Sequence, residues 1–194
     1  MATVRELPKP VIAAVGGVAT GFGCSLALAT DVRLASSVAR FSLIFVQRGL
    51  TVDGGASYFL PRLAGLRGME MALTGEIVDA DEAFRLGLVN RVIPEEAFST
   101  YVAEYAERLA KNAPLALAAI KESMHAALGS SLDVALTHEM DVQRGLGRTE
   151  LATRLPSVAC AALTALVTGL WARRMANPRA GLLASAILLT SPQF

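Results

Sequence analysis

A glycine-rich loop between an apolar, β-branched run and an apolar helical pattern constrains the fold more than any other feature of this sequence. The run Pro10–Val15 is bounded by proline and glycine, which predicts a buried strand. Glycines occupy positions 16, 17, 21 and 23, and Cys24–Thr30 has the pattern of a short buried helix. Glycine lets the backbone approach a ligand closely, and a helix N-terminus presents free N–H groups to negative charge. The pattern predicts either an anion-holding loop or a tight turn without a ligand.

The glycine spacing excludes two common anion-binding motifs. No Gly-Lys-Ser/Thr follows the loop, which excludes a Walker A motif, and the order GxGxxG of a dinucleotide-binding loop is absent. Two uses remain, because backbone N–H groups at such a position can hold a phosphate or stabilise an oxyanion on a thioester carbonyl.

Short apolar runs alternate with helical patterns after this loop, which favours an α/β or α+β fold. Further strands are predicted at Val32–Ala35, Ala39–Ser42 and Leu88–Ile93. Asp79, with Glu82 three residues later, predicts a helix start, and Gly87 is placed to end that helix. Three amphipathic helices are predicted at Phe98–Lys111, Pro114–Leu128 and Leu132–Gly147.

Composition excludes several classes of protein. The 194 residues are 53% hydrophobic and 18% charged, which is too apolar for a disordered chain. The two cysteines, Cys24 and Cys160, lie in no metal-binding spacing and cannot build a disulfide scaffold, so we expect no metal. A net charge of +1 predicts no nucleic-acid partner. The first residues lack the pattern of a signal peptide, which predicts a cytoplasmic protein.

Charge is distributed unevenly. The first 150 residues carry 14 basic and 17 acidic side chains, whereas the last 44 carry four arginines and no acid. The stretch Leu155–Ala172 is uncharged and only just reaches the length of about 18–20 residues that a membrane helix needs, and Pro156 and Gly169 make it weakly hydrophobic. Membrane association through this tail is one alternative, and a frameshifted or replaced tail over residues 151–194 is the other.

The segment from Lys9 to Asp31 closely resembles the enoyl-CoA hydratase/isomerase (crotonase) family, whose members carry the pattern K-P-x-I-A-A-V-x-G-x-A-x-G-x-G-x-x-L-x-L-x-x-D. Further matching blocks are Gly49–Gly55, Leu60–Leu63, Leu73–Gly75 and Ala80–Val92. The resemblance covers roughly residues 7 to 150. It implies a crotonase-like spiral of ββα units, incomplete at the N-terminus, with a helical C-terminal region.

The resemblance also implies a division of the chain. Residues 1–98 correspond to a partial crotonase-like core and residues 99–150 to a helical trimerisation region, so a homotrimer or hexamer is expected. Residues 151–194 form an atypical, apolar and acid-free tail. The family acts on acyl-CoA thioesters, in which coenzyme A is part of the substrate, and no separate cofactor is expected.

The family stabilises a thioester enolate with two backbone N–H groups. One donor corresponds to the N–H of Phe22, flanked by Gly21 and Gly23, which would contact the substrate. The second comes from a loop upstream in the family fold, together with much of the surface that contacts CoA. That part of the fold precedes this sequence, so an inactive or impaired chain that only binds acyl-CoA or associates with partners is an alternative function.

The family's hydratases use two glutamates to activate water, and these positions hold Ser25 and Phe45 here. Neither side chain can act as a carboxylate base. Asp53, followed by Gly54 and Gly55 as further substrate-binding positions, resembles the base of isomerase-type members. Isomerase-like chemistry is therefore favoured over two-glutamate hydration. A helix N-cap is the alternative role for Asp53.

Three other titratable residues are candidates for a functional role. Cys24 follows the loop at a helix N-terminus, which can lower a thiol pKa, although buried packing is the alternative. Lys121 is expected to be a solvated or interface residue, with a CoA phosphate as an alternative neighbour. His125 is expected to have a structural or surface role.

Overall fold

The computed structural model describes residues 2–175, and the chain divides into two compact units, residues 1–132 and 133–194. The elements are, in chain order, α1 (Ala2–Glu6), β1 (Ile12–Val15), β2 (Val18–Thr20), α2 (Phe22–Leu28), β3 (Val32–Ser36), β4 (Arg40–Ser42), a 3₁₀ helix (Ile44–Arg48), α3 (Ala56–Thr74), β5 (Ile77–Asp79), α4 (Ala80–Arg85), β6 (Arg91–Ile93), α5 (Glu95–Ala110), α6 (Pro114–Ala127) and α7 (Leu132–Met175).

Two consecutive ββα units organise the first part of the chain. In each unit the first strand joins one sheet and the second strand joins another. The strands β1, β3 and β6 form a parallel sheet, while β2 and β4 pair in parallel and β5 pairs antiparallel to β4. The helix of each unit then returns the chain to the start of the next one.

A hydrophobic core joins the β2–β4–β5 sheet to the helices α2, α3 and α4. Phe41 from β4 and Leu43, which follows that strand, lie in this core, together with Cys24 and Leu28 from α2 and Met71 from α3. Burying one large apolar side chain contributes about 1.5–3 kcal/mol, so this cluster holds α2 and α3 against the sheet. Those two helix starts follow the glycine loop and the loop that carries Asp53.

The observed segment differs from the predicted glycine-rich loop in two ways. Residues Val18–Thr20 form a strand there, because they pair with β4. The helix begins at Phe22 rather than at Cys24, since Gly21 occupies the N-cap position. Both differences arise from pairing with a distant strand, which a three-residue segment cannot reveal by its own pattern.

Two helices also differ from expectation. The helix α3 was not predicted, and its φ/ψ angles break the helix at Gly65 (φ 52°, ψ −133°). The predicted end of the last helix at Gly147 is wrong, because α7 continues to Met175 and neither Gly145 nor Gly147 has a positive φ.

Within residues 2–175 we find no helix long and apolar enough to cross a membrane. The part of the tail beyond Met175 lies outside the described residues, and the division at residues 98 and 150 stays a prediction.

Of the two surroundings expected for Lys121, solvent is wrong, because its ammonium contacts groups on segments that precede β1 and β3. Only 8% of the residue is exposed, and its Nζ lies 2.7 Å from Asp31 Oδ2. The same ammonium donates to the carbonyls of Val4 and Lys9, both at 3.1 Å. Asp31 Oδ2 also accepts the N–H of Val11 at 2.7 Å. This buried ion pair ties α6 to the segment that enters β1.

We predict that Lys121→Met lowers the free energy of unfolding by about 3–5 kcal/mol, because it leaves the Asp31 carboxylate buried without its cation. Lys111→Met is the matched control: Lys111 is exposed, and a surface substitution changes stability by about 0.5 kcal/mol or less. Urea unfolding followed by circular dichroism measures both values. Equal stability of the two variants would contradict this role for Lys121.

His125 lies beside the same pair and has a lowered pKa. Burial is the main cause, the charges of Arg5 and Lys121 add to it, and Asp31, whose Oδ1 lies 3.4 Å from Nε2, opposes it. A folded-state pKa below the ordinary 6.5 means that the unfolded chain binds the proton more readily. The contribution of His125 to stability is therefore present above pH 6.5 and is lost as the pH falls below it.

We predict that the stability difference between the wild type and His125→Gln depends on pH in this sense. Glutamine stays neutral, so it removes the acid-dependent loss at this site. Urea midpoints of the two proteins at pH 7.5, 6.5 and 5.5 give the difference. A wild type that gains stability relative to the variant on acidification would show that the pKa of His125 is raised instead.

Candidate active site at the glycine loop

Gly21 turns the chain from β2 into α2. Its backbone adopts φ 53° and ψ −123°, a conformation that L side chains rarely adopt. Its N–H donates to the carbonyl of Ser42 at 2.9 Å. A Cβ added here would lie 3.7 Å from the Phe45 ring, which is an ordinary contact. Backbone conformation, rather than lack of space, requires glycine at this position.

The N–H of Phe22 is the expected oxyanion donor, and it begins α2. Among the described residues we find no hydrogen bond from this N–H, as is usual for the first N–H groups of a helix. The residue is 55% exposed, and the neighbouring Gly23 is exposed too. The helix start therefore presents a free donor to the surface of residues 2–175.

The two positions that correspond to the hydratase glutamates are turned into the fold. Ser25 is fully buried, and its Oγ donates to the carbonyl of Gly21 at 3.3 Å. Phe45 is also buried, in the 3₁₀ helix, and its ring covers Gly21. Neither side chain offers a carboxylate or a water-binding group to the Phe22 N–H.

Asp53 lies in the loop between the 3₁₀ helix and α3, and it is exposed. Its carboxylate has no hydrogen bond or ion pair with any described residue, while its carbonyl accepts the N–H of Ala56 at 3.0 Å. The alternative role as helix N-cap is wrong, because Gly55 occupies that position with φ 82° and no side chain caps the helix. Gly54 is left-handed as well, with φ 56°. These two glycines let the loop end in α3 with the carboxylate free.

The structure relates the two predicted site segments through packing. The helix α2 packs against α3, and the 3₁₀ helix that precedes Asp53 packs against α3 as well. The ring of Phe45, from that 3₁₀ helix, lies on the side of Gly21 where a Cβ would point. No hydrogen bond joins Asp53 to Phe22 within residues 2–175, so the observed link is between the segments that carry them.

Sequence reasoning did not identify Ser42 as part of this arrangement. Its carbonyl anchors the Gly21 N–H, and its buried Oγ donates to the carbonyl of Gly75 at 2.9 Å. The feature that identifies Ser42 is the register of the sheet, in which Thr20 pairs with Ser42 and Gly21 follows Thr20. That register depends on tertiary structure.

Cys24 is not the activated thiol that its place at a helix start allowed. The residue is fully buried, and burial raises the pKa of its thiol from 9.0 to about 12, which a hydrogen bond with the Ser42 backbone only partly offsets. A thiolate is therefore disfavoured, which excludes Cys24 as a nucleophile. Among the described residues, no group of three or more His, Cys, Asp or Glu side chains is placed to hold a metal ion.

We predict that only one of the two cysteines reacts in the native protein. Cys160 is exposed and Cys24 is buried, so a thiol reagent at pH 8 should label one site per chain natively and two after denaturation. Mass spectrometry of tryptic peptides assigns the sites, and Cys160→Ser serves as the control that should show almost no native labelling. Rapid native labelling of Cys24 would contradict its burial.

Known proteins resemble this chain over most of its length. The family model for enoyl-CoA hydratase/isomerase matches residues 1–153. A probable enoyl-CoA hydratase of Rhodobacter capsulatus is 40% identical over 147 residues, which are 75% of this chain and 57% of that protein. A 1,2-epoxyphenylacetyl-CoA isomerase of Escherichia coli is 39% identical over 147 residues, which are 75% of this chain and 56% of that protein.

The fold agrees with a solved structure of the same kind. The crystal structure of a probable enoyl-CoA hydratase/isomerase from Mycobacterium abscessus superposes with a TM-score of 0.72 at 35% identity, covering 80% of this chain and 63% of that one. The chain spans about half the length of the curated relatives it matches. The predicted crotonase-like architecture is thereby confirmed, and the chain belongs to the enoyl-CoA hydratase/isomerase family.

Proposed function

We propose that this chain acts on acyl-CoA thioesters as an isomerase-type member of its family, with Phe22 N–H as an oxyanion donor and Asp53 as the base. The observation that supports the proposal is that the chain has both groups in adjacent packed segments: an exposed residue with an unbonded N–H at the start of α2, and an exposed, unpaired carboxylate in the loop before α3. The hydratase positions Ser25 and Phe45 supply no second carboxylate.

The proposed reaction moves a proton between two carbons of an enoyl-CoA. The Asp53 carboxylate removes a proton from a carbon activated by the thioester, and the electron pair passes to the thioester oxygen as an enolate. The Phe22 N–H stabilises the charge on that oxygen. When the enolate collapses, the proton returns from Asp53 to the other carbon, so that no water is consumed and a single carboxylate suffices.

Stabilisation of the oxyanion is the part of this mechanism that we assign to the glycine loop. A fixed N–H dipole needs no reorganisation when charge develops, and losing one such donor lowers kcat by about 10²–10³. The family resemblance assigns a second donor, and much of the CoA-binding surface, to a part of the family fold upstream of the glycine loop. Assembly as a homotrimer or hexamer through the helical region 99–150 is part of the same proposal.

Hydration is the second candidate, since relatives of this chain are named hydratases. Water addition requires a group that holds and deprotonates water as well as the enolate site. The buried Ser25 hydroxyl donates to a backbone carbonyl, and Phe45 is apolar, so neither performs that task. The arrangement therefore favours proton transfer.

We predict that the purified chain interconverts 3-enoyl- and 2-enoyl-CoA, and that Asp53→Asn lowers kcat by about 10²–10⁴ because it removes the general base. Asp81→Asn is the matched control, since Asp81 is also exposed but lies in the first turn of α4. The absorbance of the conjugated thioester follows the reaction.

Two other outcomes have distinct meanings. Unchanged turnover in Asp53→Asn would contradict the role of Asp53. If neither substrate reacts under conditions in which a full-length relative is active, the enzyme function fails, and calorimetric titration with the acyl-CoA then tests whether the chain only binds it.

A further inference from the structure

We propose that Ser25 is a positioning residue: its buried hydroxyl holds the Gly21–Phe22 peptide in the orientation that points the Phe22 N–H out of the helix. The inference rests on the proposed role of that N–H as oxyanion donor. This positioning role would explain a serine at the position where the family's hydratases carry a catalytic glutamate.

The argument begins with the peptide group itself. The carbonyl of Gly21 and the N–H of Phe22 belong to one planar, trans peptide unit, so the two bonds point in opposite directions. The Gly21 carbonyl accepts the N–H of Ser25 at 3.1 Å and the Oγ of Ser25 at 3.3 Å. Both bonds draw the carbonyl toward the helix, and the N–H must therefore point away from it.

This orientation needs support because the residue before the donor is a glycine. Gly21 lacks a Cβ and holds φ 53° and ψ −123°, so its own sterics restrict rotation of the following peptide only weakly. The peptide on its other side is fixed by the bond from Gly21 N–H to the Ser42 carbonyl. A rotation of the Gly21–Phe22 peptide would remove the donor from the surface and present a carbonyl oxygen, which repels an oxyanion.

Ser25 is suited to this role by its place and burial. It lies four residues after Gly21, where a hydroxyl reaches the carbonyl of the preceding turn. The residue is fully buried, and its Oγ makes no other hydrogen bond among the described residues. Because the residue is buried, the hydroxyl has the Gly21 carbonyl as its partner, whereas an ionised glutamate carboxylate has no proton to donate to that carbonyl.

The first test separates positioning from binding. We expect Ser25→Ala to lower kcat for enoyl-CoA isomerisation by about tenfold, less than the loss of a whole donor, while KM is unchanged. Ser25→Thr keeps a hydroxyl and should recover most of kcat. Ser36→Ala is the control, because Ser36 is equally buried but its Oγ accepts the N–H of Val38. A kcat of Ser25→Ala equal to that of the control would overturn the proposal.

The second test does not depend on activity. In ¹⁵N-labelled protein, the residual dipolar coupling of the Phe22 N–H reports the direction of that bond. We expect Ser25→Ala to change or average this coupling, while Ser36→Ala and Ser25→Thr keep the wild-type value. An unchanged Phe22 coupling in folded Ser25→Ala would overturn the positioning role. A changed coupling in a chain that turns over neither substrate would support positioning and count against the proposed function instead. Should Ser25→Ala not fold, Ser25→Cys replaces the hydroxyl with a weaker donor of similar size and is judged by the same coupling.

Discussion

The hydrogen bond from the Gly21 N–H to the Ser42 carbonyl is the contact on which the candidate site depends. The bond lies one residue after the last register pair of β2 and β4, at the point where the chain leaves the sheet and enters α2. Ser42 is itself held, because its buried hydroxyl donates to the Gly75 carbonyl, where α3 ends. The Gln47 amide donates to the same carbonyl at 3.0 Å. Segments more than fifty residues apart thus set the position of one backbone N–H.

Part of this arrangement is predictable from local sequence. An apolar run, closely spaced glycines and a second apolar pattern require a strand, a turn and a helix in that order, and the structure has β1 and α2 at those places. The second unit is harder to predict, because α3 lacks a single apolar stripe. Leu66 is 90% exposed and Leu73 is largely exposed, Pro61 removes one N–H, and Gly65 breaks the helical angles. Such a helix is held by contacts with α2 and the 3₁₀ helix, which its own periodicity does not reveal.

Ionisation states were the least predictable feature, because they depend on what packs around a group. Cys24 combines two opposed effects, since a helix start favours a thiolate and burial disfavours it. Burial dominates because the residue is fully enclosed. The surroundings of Lys121 were equally hard to predict: a lysine on an amphipathic helix is ordinarily solvated, but the ammonium of this one lies against Asp31 and two backbone carbonyls. Neither partner set is encoded near the residue in sequence.

The same reasoning bears on the choice between moving a proton and adding water. Both reactions need a stabilised enolate, and we propose the N–H of Phe22 as one donor for it in either case. Only hydration also needs a polar site that orders a water molecule, and here that site would fall on a serine turned toward a backbone carbonyl and on an apolar ring. Under the proposed function, the side chains at these two positions, rather than the backbone donor, distinguish proton transfer from hydration. Because the Ser25 hydroxyl donates to the carbonyl of the Gly21–Phe22 peptide, the proposed function gives this serine a role even though it cannot act as a base: it supports the orientation of the proposed donor.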